Sequence, residues 1–207
     1  MTLYLVRHGQ TDWNKEPRLQ GQKDIPMNDE GIRQMKELAD KLVEIGIKVD
    51  AIISSPLERA KTSAQIVVDR IGYTESIIVD VDFSERNFGL LEGTVWKPEL
   101  NLEDPQYQAE SASDLCDRAK KALDKYTFTE NTNVMIVSHG AMLAAVKHAL
   151  CAVLKALEDG DLSKERYNSY IKITREAYYA RLGQDVGERI RFKNKVKRMS
   201  KNERYNK

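Results

Sequence analysis

The 207-residue chain lacks the features that mark secreted, zinc-binding and membrane-spanning proteins. Its two cysteines, Cys116 and Cys151, are too few for a disulfide framework or a zinc site, which favours a reducing compartment. The apolar run at residues 3–6 ends at Arg7 and is too short for a signal peptide. No run approaches the roughly 18 to 20 apolar residues that a membrane span needs. We therefore expect a cytoplasmic globular protein, long enough to bury a substantial core.

The net charge is also small, at +1, but the charged residues are unevenly distributed along the chain. Residues 188–207 hold nine Lys or Arg against two Glu. Such a tail could contact nucleic acid or a membrane. Its apolar residues Ile190, Phe192 and Val196 alternate with basic ones, however, as on a half-buried edge strand where lysines discourage pairing. We expect no nucleic acid and no membrane partner, and the role of the basic segment and the oligomeric state stay open.

Histidine occurs three times, and two of the three share one pattern. In each case a histidine and a glycine follow a predicted buried strand: His8 and Gly9 after residues 3–6, and His139 and Gly140 after residues 134–138. The end of a strand is where open α/β sheets place their sites. The third, His148, lies in the middle of a predicted helix, and we assign it a structural role.

Predicted strands and helices alternate along the chain. The strands are residues 3–6, 50–54, 77–81 and 134–138, with closing strands, expected to be antiparallel, at 170–174 and 189–197. Helices are predicted after Asn28 as N-cap, after a capping box of Ser55 to Glu58 with Pro56 at the first helical position, around residues 115–123, and over 141–157. This order predicts a three-layer α/β/α sandwich with a mostly parallel sheet, as one domain over residues 1–207.

Strand polarity predicts that five charged or titratable side chains share one edge of this sheet. Arg7 and His8 end the first strand, and His139 ends the fourth. Arg59 lies in the first turn of the helix after the second strand, and Glu85 lies a few residues beyond the third. Because the carboxyl ends of parallel strands meet at one edge, we expect these side chains to lie together.

That set of side chains suits phosphoryl transfer. Guanidinium groups fork onto phosphate oxygens, and a neutral imidazole is a competent nucleophile at phosphorus near pH 7. A carboxyl group can protonate the leaving oxygen and then activate water. The sequence has no cluster of His, Cys and Asp residues at the spacing of metal ligands, and it has no glycine-rich Lys-Ser/Thr phosphate loop. We therefore expect no metal and no cofactor. The capping box accounts for Ser55, and packing accounts for both cysteines.

Several motifs resemble the histidine phosphatase superfamily, also called phosphoglycerate mutase-like. They are Leu-Val-Arg-His-Gly-Gln-Thr-Asp-Trp-Asn at 5–14, Arg-Leu-Gln-Gly at 18–21, Ser-Ser-Pro-Leu-Glu-Arg-Ala-Lys-Thr-Ser at 54–63, the acidic segment from Glu85 to Gly93, and Val-Ser-His-Gly at 137–140. The resemblance implies the family's α/β fold and a covalent, metal-free mechanism in two steps.

The same resemblance implies a role for each matched residue. His8 would be the nucleophile that forms a phosphohistidine, and Glu85 would be the proton donor and then the base. His139 would line the phosphate pocket and complete the catalytic set. The implied phosphate-binding residues are Arg7, Asn14, Gln20 and Arg59.

Phosphatases and mutases of this family differ after the acidic motif, where mutases carry a long insertion with basic residues for a second anionic group. Here residues 93–110 form a short predicted cap segment with four acidic residues against one lysine: Glu99, Glu103, Asp104 and Glu110 against Lys97. We expect this segment to repel a second anion, which favours hydrolysis of small-molecule phosphate monoesters. Mutase-type transfer and non-catalytic binding of a phospho-ligand remain alternatives. Trp96, Leu100, Leu102 and Tyr107 are candidates for an apolar leaving-group pocket, and the physiological substrate stays open.

Overall fold

The computed structural model describes residues 2–126, 132–158 and 177–180. In chain order its elements are β1 (Thr2–Arg7), α1 (Asp12–Lys15), α2 (Asp29–Glu44), β2 (Ala51–Ser54), α3 (Glu58–Ile71), β3 (Ile78–Val79), α4 (Ala112–Asp124), β4 (Asn133–Ser138), α5 (Gly140–Glu158) and β5 (Ala177–Ala180). Three short 3-10 turns lie between β3 and α4. Within these ranges, no helix is long and apolar enough to cross a membrane.

The five strands form one sheet in the order β3-β2-β4-β1-β5, and all four pairings are parallel. The predicted α/β class with a mostly parallel sheet is confirmed. The described closing strand, β5, runs parallel to β1, whereas we expected antiparallel closing strands. The two segments predicted for those strands, 170–174 and 189–197, lie outside the described residues, as does the basic tail.

Alternating side chains of the central strands contribute to two hydrophobic cores, one on each face of the sheet. On β4, Val134 and Ile136 pack with α4 and α5, while Met135 and Val137 pack with α2 and α3. Strand residues point alternately to opposite faces, so a run that is apolar at every position is buried on both. Helices therefore cover both faces, and the carboxyl ends of the strands are left for a site.

Two local predictions are wrong. Strand β3 spans two residues instead of five, and Ile78 and Val79 are 41% and 53% exposed at the edge of the sheet. The predicted capping box is absent, because α3 begins at Glu58 after an N-cap, Leu57, that makes no side-chain cap bond. The Glu58 amide instead donates to Asp24 Oδ1 at 2.7 Å, so the cap comes from the loop after β1.

That loop, residues 9–27, is packed closely against the helices. A Cβ added to Gly9 would lie 2.3 Å from the Gly31 carbonyl oxygen, so the turn after His8 touches the first turn of α2 directly. Gly21 has φ +54, and a Cβ there would lie 1.9 Å from a carboxylate oxygen of Glu92. Glycine is needed at Gly9 for the close backbone approach and at Gly21 for its positive φ.

Candidate active site

His8 lies at the end of β1, and its two ring nitrogens differ in their hydrogen bonding. Its amide donates to the Ser138 carbonyl at 3.0 Å, which extends the pairing of β1 with β4. Its Nδ1 lies 2.7 Å from the Gly9 carbonyl oxygen, so Nδ1 carries the proton and Nε2 keeps its lone pair. Burial, followed by the positive charges of Arg59 and Arg7, lowers the pKa of His8 to about 3. The imidazole is therefore neutral at pH 7, the form that can act as a nucleophile.

His139 lies beside His8, with ring centroids 5.1 Å apart and planes tilted by 56°. It is fully buried, and its Nε2 lies 2.7 Å from the Ser55 hydroxyl oxygen. Burial lowers the pKa of His139 well below its usual value, and electrostatic interactions with His8 and Arg59 add to that effect. Sequence reasoning assigned Ser55 to a capping box and missed this contact. Ser55 follows β2 as His139 follows the neighbouring β4, so the strand-end argument applied to serine would have indicated it.

The two arginines approach the histidines from different sides. Arg59 is 1% exposed, and its two terminal nitrogens donate to the carbonyls of Gly21 and Lys23, each at 2.8 Å. Burial lowers the pKa of Arg59, and nearby carboxylates, Glu85 first, oppose that shift. Arg7 packs over the start of α5, since a Cβ on Gly140 would lie 3.6 Å from Arg7 Cζ. Both positive charges act on His8, as the cause of its lowered pKa shows.

The two amides of the predicted phosphate site differ in their surroundings. Asn14 Oδ1 accepts hydrogen bonds from the Thr11 amide and hydroxyl at 3.1 Å each, in a capping box that starts α1. Its oxygen is therefore used locally, and its NH₂ group is what it can offer to a ligand. Gln20 is buried, and its Oε1 has no partner among the described residues. A half-turn of that amide would present its NH₂ group instead.

Glu85 lies at the amino end of α5. Its Oε1 accepts the amide hydrogens of Arg86 at 2.9 Å, Ala141 at 3.1 Å and Met142 at 3.0 Å. The first turn of a helix has unpaired amide donors, and these hold the acceptor oxygen Oε1 of Glu85 in place. The structure thus brings Glu85 to the edge of the sheet where β4 and His139 end.

The segment that carries Glu85 is fixed by two arginines, and their partners are relevant to an expectation about charge. The Arg86 guanidinium pairs with Glu103 at 2.6 Å, and the Arg118 guanidinium pairs with Glu110 at 2.7 Å. Two of the four acidic residues after Gly93 are thus neutralised. These ion pairs reduce the negative charge that the segment presents, and its effect on a second anion stays a prediction.

Most apolar candidates for a leaving-group pocket are used in packing of the cap segment. Leu100, Leu102 and Tyr107 pack against a small cluster made of Leu19, Phe88 and Leu91. Trp96 is different, because 47% of its surface is exposed. Of the predicted set, Trp96 is the most exposed, and the other three, which are partly buried, pack the cap segment against residues outside it.

Unsatisfied buried polar atoms point to one place. Among the described residues, three buried side-chain nitrogen or oxygen atoms have no hydrogen-bond partner: Gln20 Oε1, Arg59 Nε and His139 Nδ1. A buried polar group without a partner costs about 1–3 kcal/mol, so each such group needs an explanation. All three belong to residues that the sequence predicted to bind phosphate. Arg59 Nε and His139 Nδ1 can donate to a ligand oxygen, and Gln20 can do so once its amide is turned.

Comparisons with known proteins show which family the chain resembles. The model of the histidine phosphatase superfamily (branch 1) matches residues 3–181. The chain is 37% identical over 161 residues to an uncharacterised phosphatase, PhoE, of Bacillus subtilis, covering 76% of this chain and 77% of the relative. It is 32% identical over 160 residues to a probable phosphoglycerate mutase, GpmB, of Erwinia tasmaniensis, covering 70% of this chain and 73% of the relative.

A solved structure shares the fold. The phosphoserine phosphatase of Entamoeba histolytica, in complex with 3-phosphoglyceric acid, superposes with a TM-score of 0.61 at 27% identity, covering 73% of this chain and 81% of that one. The two curated relatives carry one phosphatase name and one mutase name.

Proposed function

The chain belongs to the histidine phosphatase superfamily, branch 1, and from that membership we propose that it hydrolyses small-molecule phosphate monoesters through a phosphohistidine on His8. The observation that carries this proposal is the group of unpartnered buried atoms on Gln20, Arg59 and His139. They lie on three separate segments, and a phosphoryl group is a ligand that guanidinium, imidazole and amide donors can share.

In the first step, His8 Nε2 attacks phosphorus and the ester P–O bond breaks as the P–N bond forms. Glu85, as a carboxylic acid, gives its proton to the departing alcohol oxygen. The hydrogen bond from His8 Nδ1 to the Gly9 carbonyl stabilises the positive charge that the ring gains. Burial keeps the free imidazole neutral, so attack needs no prior deprotonation near pH 7.

In the second step, water attacks the phosphohistidine, Glu85 accepts a proton from that water, and the P–N bond breaks to release inorganic phosphate. Arg7, Arg59, His139, Gln20 and Asn14 hold the phosphoryl oxygens in both steps. Positive groups placed in advance around those oxygens stabilise the charge that develops on them during in-line transfer. No step requires a metal ion.

Hydrolysis is favoured over mutase-type transfer by the short segment after Gly93, which leaves little chain to bind a second anionic group. The charge of that segment supports the choice less strongly than its composition, because Glu103 and Glu110 are paired with arginines. Mutase-type transfer remains the second candidate, since a relative at 32% identity is named a probable phosphoglycerate mutase.

The test is an assay of the full-length protein with p-nitrophenyl phosphate in the presence of EDTA. We expect release of nitrophenol that survives EDTA and disappears in His8→Ala, while His148→Ala, an exposed histidine of α5, keeps it. A panel with phosphoserine and 3-phosphoglycerate follows, because a structural relative is a phosphoserine phosphatase seen with 3-phosphoglyceric acid. Interconversion of 3- and 2-phosphoglycerate stimulated by 2,3-bisphosphoglycerate would favour the mutase. No turnover of any ester would favour a binding protein.

A further inference from the structure

We propose that Ser55 is a positioning residue that holds His139 in the tautomer with its proton on Nδ1. His139 then offers an N–H to a phosphoryl oxygen without carrying a charge. The inference rests on the proposed function for the identity of the ligand. The tautomer itself follows from the hydrogen bonds of two buried side chains.

The hydroxyl of Ser55 has one proton to donate and lone pairs that accept. Its oxygen accepts from the Leu57 amide at 3.3 Å, a contact in which the amide can only donate. Its other hydrogen-bond partner among the described residues is His139 Nε2, at 2.7 Å. Ser55 is fully buried, so a hydroxyl proton without an acceptor would be costly. The hydroxyl therefore donates to Nε2, which must be unprotonated to accept it.

A neutral imidazole carries one proton on one of its two nitrogens. Because Nε2 of His139 accepts a hydrogen bond with its lone pair, the proton is on Nδ1. His139 is neutral because it is fully buried beside several positive groups. Nδ1 is also the atom that has no partner among the described residues. The buried site thus contains a free N–H donor 5.1 Å, ring centre to ring centre, from the proposed nucleophile His8.

The opposite tautomer would turn a lone pair of Nδ1 toward the oxygens of a phosphoryl group, which also carry lone pairs. That arrangement repels, whereas an N–H attracts. Ser55 is well placed to prevent it because its backbone is fixed between neighbouring strands. Its amide donates to the Val137 carbonyl at 3.0 Å, which continues the pairing of β2 with β4.

The first measurement is the ¹⁵N NMR spectrum of the histidine side chains in the full-length wild-type protein at pH 7. The chain has three histidines, so His8→Gln and His148→Gln assign the signals. We expect His139 Nδ1 to appear protonated and Nε2 unprotonated, and added orthovanadate to shift the Nδ1 signal. A proton on Nε2, or on both nitrogens, would overturn the proposal. This spectrum needs no turnover, so it separates the proposal from a failure of the phosphatase function.

The second measurement compares Ser55→Ala with Ser55→Thr. We expect Ser55→Ala to show a mixture of His139 tautomers and kcat/KM for p-nitrophenyl phosphate reduced about tenfold, the size of one hydrogen bond. Ser55→Thr keeps the hydroxyl and should restore both. If Ser55→Ala retains a single Nδ1–H tautomer and wild-type kcat/KM, the assignment of Ser55 is wrong.

The matched control is Ser54→Ala. Ser54 is equally buried, directly precedes Ser55, and its hydroxyl donates to a backbone carbonyl instead of an imidazole. We expect its variant to keep the wild-type His139 spectrum. A Ser54→Ala spectrum with mixed tautomers would show that general loosening, and not the hydroxyl of Ser55, sets the tautomer. Should Ser55→Ala fail to fold, the wild-type spectrum and Ser55→Thr still decide.

Discussion

The Arg118 guanidinium and the Glu110 carboxylate form a two-pronged ion pair, with Nε 2.7 Å from Oε1 and Nη2 2.7 Å from Oε2. The same guanidinium donates to the carbonyls of Ser84 at 2.8 Å and Glu85 at 3.2 Å. Helix α4 therefore holds the backbone of the proposed proton donor through one arginine, and Glu110 fixes that arginine. The side chains of the pair are 18% and 14% exposed, so water competes weakly for them.

We expect Glu110→Gln to lower both stability and kcat. Loss of a charged partner leaves Arg118 partly unpaired, which should cost about 2 kcal/mol in the free energy of unfolding. The Glu85 backbone then moves more freely and proton donation slows. Urea unfolding and kcat with p-nitrophenyl phosphate measure the two effects. Glu103→Gln is the control, because Glu103 pairs with Arg86 but its side chain is 50% exposed. Equal effects in both variants would contradict the role of Arg118.

The cap that Asp24 gives to α3 yields a second prediction. Asp24→Ala removes the oxygen that accepts from the Glu58 amide, and loss of an N-cap acceptor costs about 1 kcal/mol. Because α3 carries Arg59 one residue later, we also expect weaker phosphate binding. Urea unfolding and the inhibition constant of inorganic phosphate measure these changes. Asp24→Asn keeps an acceptor oxygen and should stay near wild type; if it is as unstable as Asp24→Ala, the cap does not explain the loss.

Asp24 and Ser55 also show where prediction from sequence stops. The strand-end argument needed only the local order of β1 and β4, so it placed His8 and His139 at one edge correctly. The cap on Glu58 comes from a residue 34 positions earlier, and the partner of Ser55 lies 84 positions later. A serine next to a proline satisfies the local pattern of a capping box, so local reasoning stopped there. Contacts of such separation depend on how the strands are ordered.

Charge composition was an incomplete guide for a related reason. A count of acidic residues after Gly93 treats each carboxylate as free, but Glu103 and Glu110 face arginines from other segments. The apolar candidates Leu100 and Leu102 were likewise judged without knowing the cluster against which they pack. The fold class and the set of gathered site residues were predictable, because both follow from periodicity and strand polarity. The surface that would face the leaving group was not predictable, because contacts between distant segments of the chain determine it.

The contact of the turn after His8 with α2 gives a third prediction. In Gly9→Ala, the new methyl group would lie 2.3 Å from the Gly31 carbonyl oxygen, so either the turn or α2 must shift. We expect a loss of about 3 kcal/mol, the upper end of overpacking effects, and loss of phosphatase activity. Activity suffers because the Gly9 carbonyl fixes the His8 ring and the Gly9 amide donates to Ser63 at 3.1 Å.

Gly46→Ala is the control for Gly9. Gly46 follows α2 with φ +63, and a Cβ there meets nothing within 4 Å. Alanine in that conformation costs about 1 kcal/mol through backbone strain alone. Stability should therefore fall slightly while activity stays at the wild-type level. Active Gly9→Ala enzyme with an unshifted unfolding midpoint would contradict the close contact.

Acid should destabilise the protein in a pH range where the buried histidines dominate. In the folded state the pKa of His8 is about 3, because burial and two arginines oppose its protonation, whereas an unfolded histidine titrates near 6.5. Between these values the unfolded chain binds a proton that the folded chain does not. Stability is therefore complete above the unfolded value and falls as the pH decreases toward 3. From pH 7 to pH 5 the loss is about 2 kcal/mol for one such histidine.

His139 adds a loss of the same sign, since its pKa is lowered too. The pKa of Asp80 is also lowered, because its hydrogen bonds with Lys125, Asp82 and Tyr126 outweigh its burial. Protonation of Asp80 destabilises the fold only below about pH 4, which lies outside this range. Urea unfolding at pH 7 and pH 5 measures the difference for wild type, for His8→Gln and for the exposed His148→Gln. His8→Gln should reduce the loss by about 2 kcal/mol, and His148→Gln should retain it. A wild-type stability that does not fall between pH 7 and pH 5 would mean that the two histidines can be protonated inside the fold, which would contradict the lowered pKa of His8.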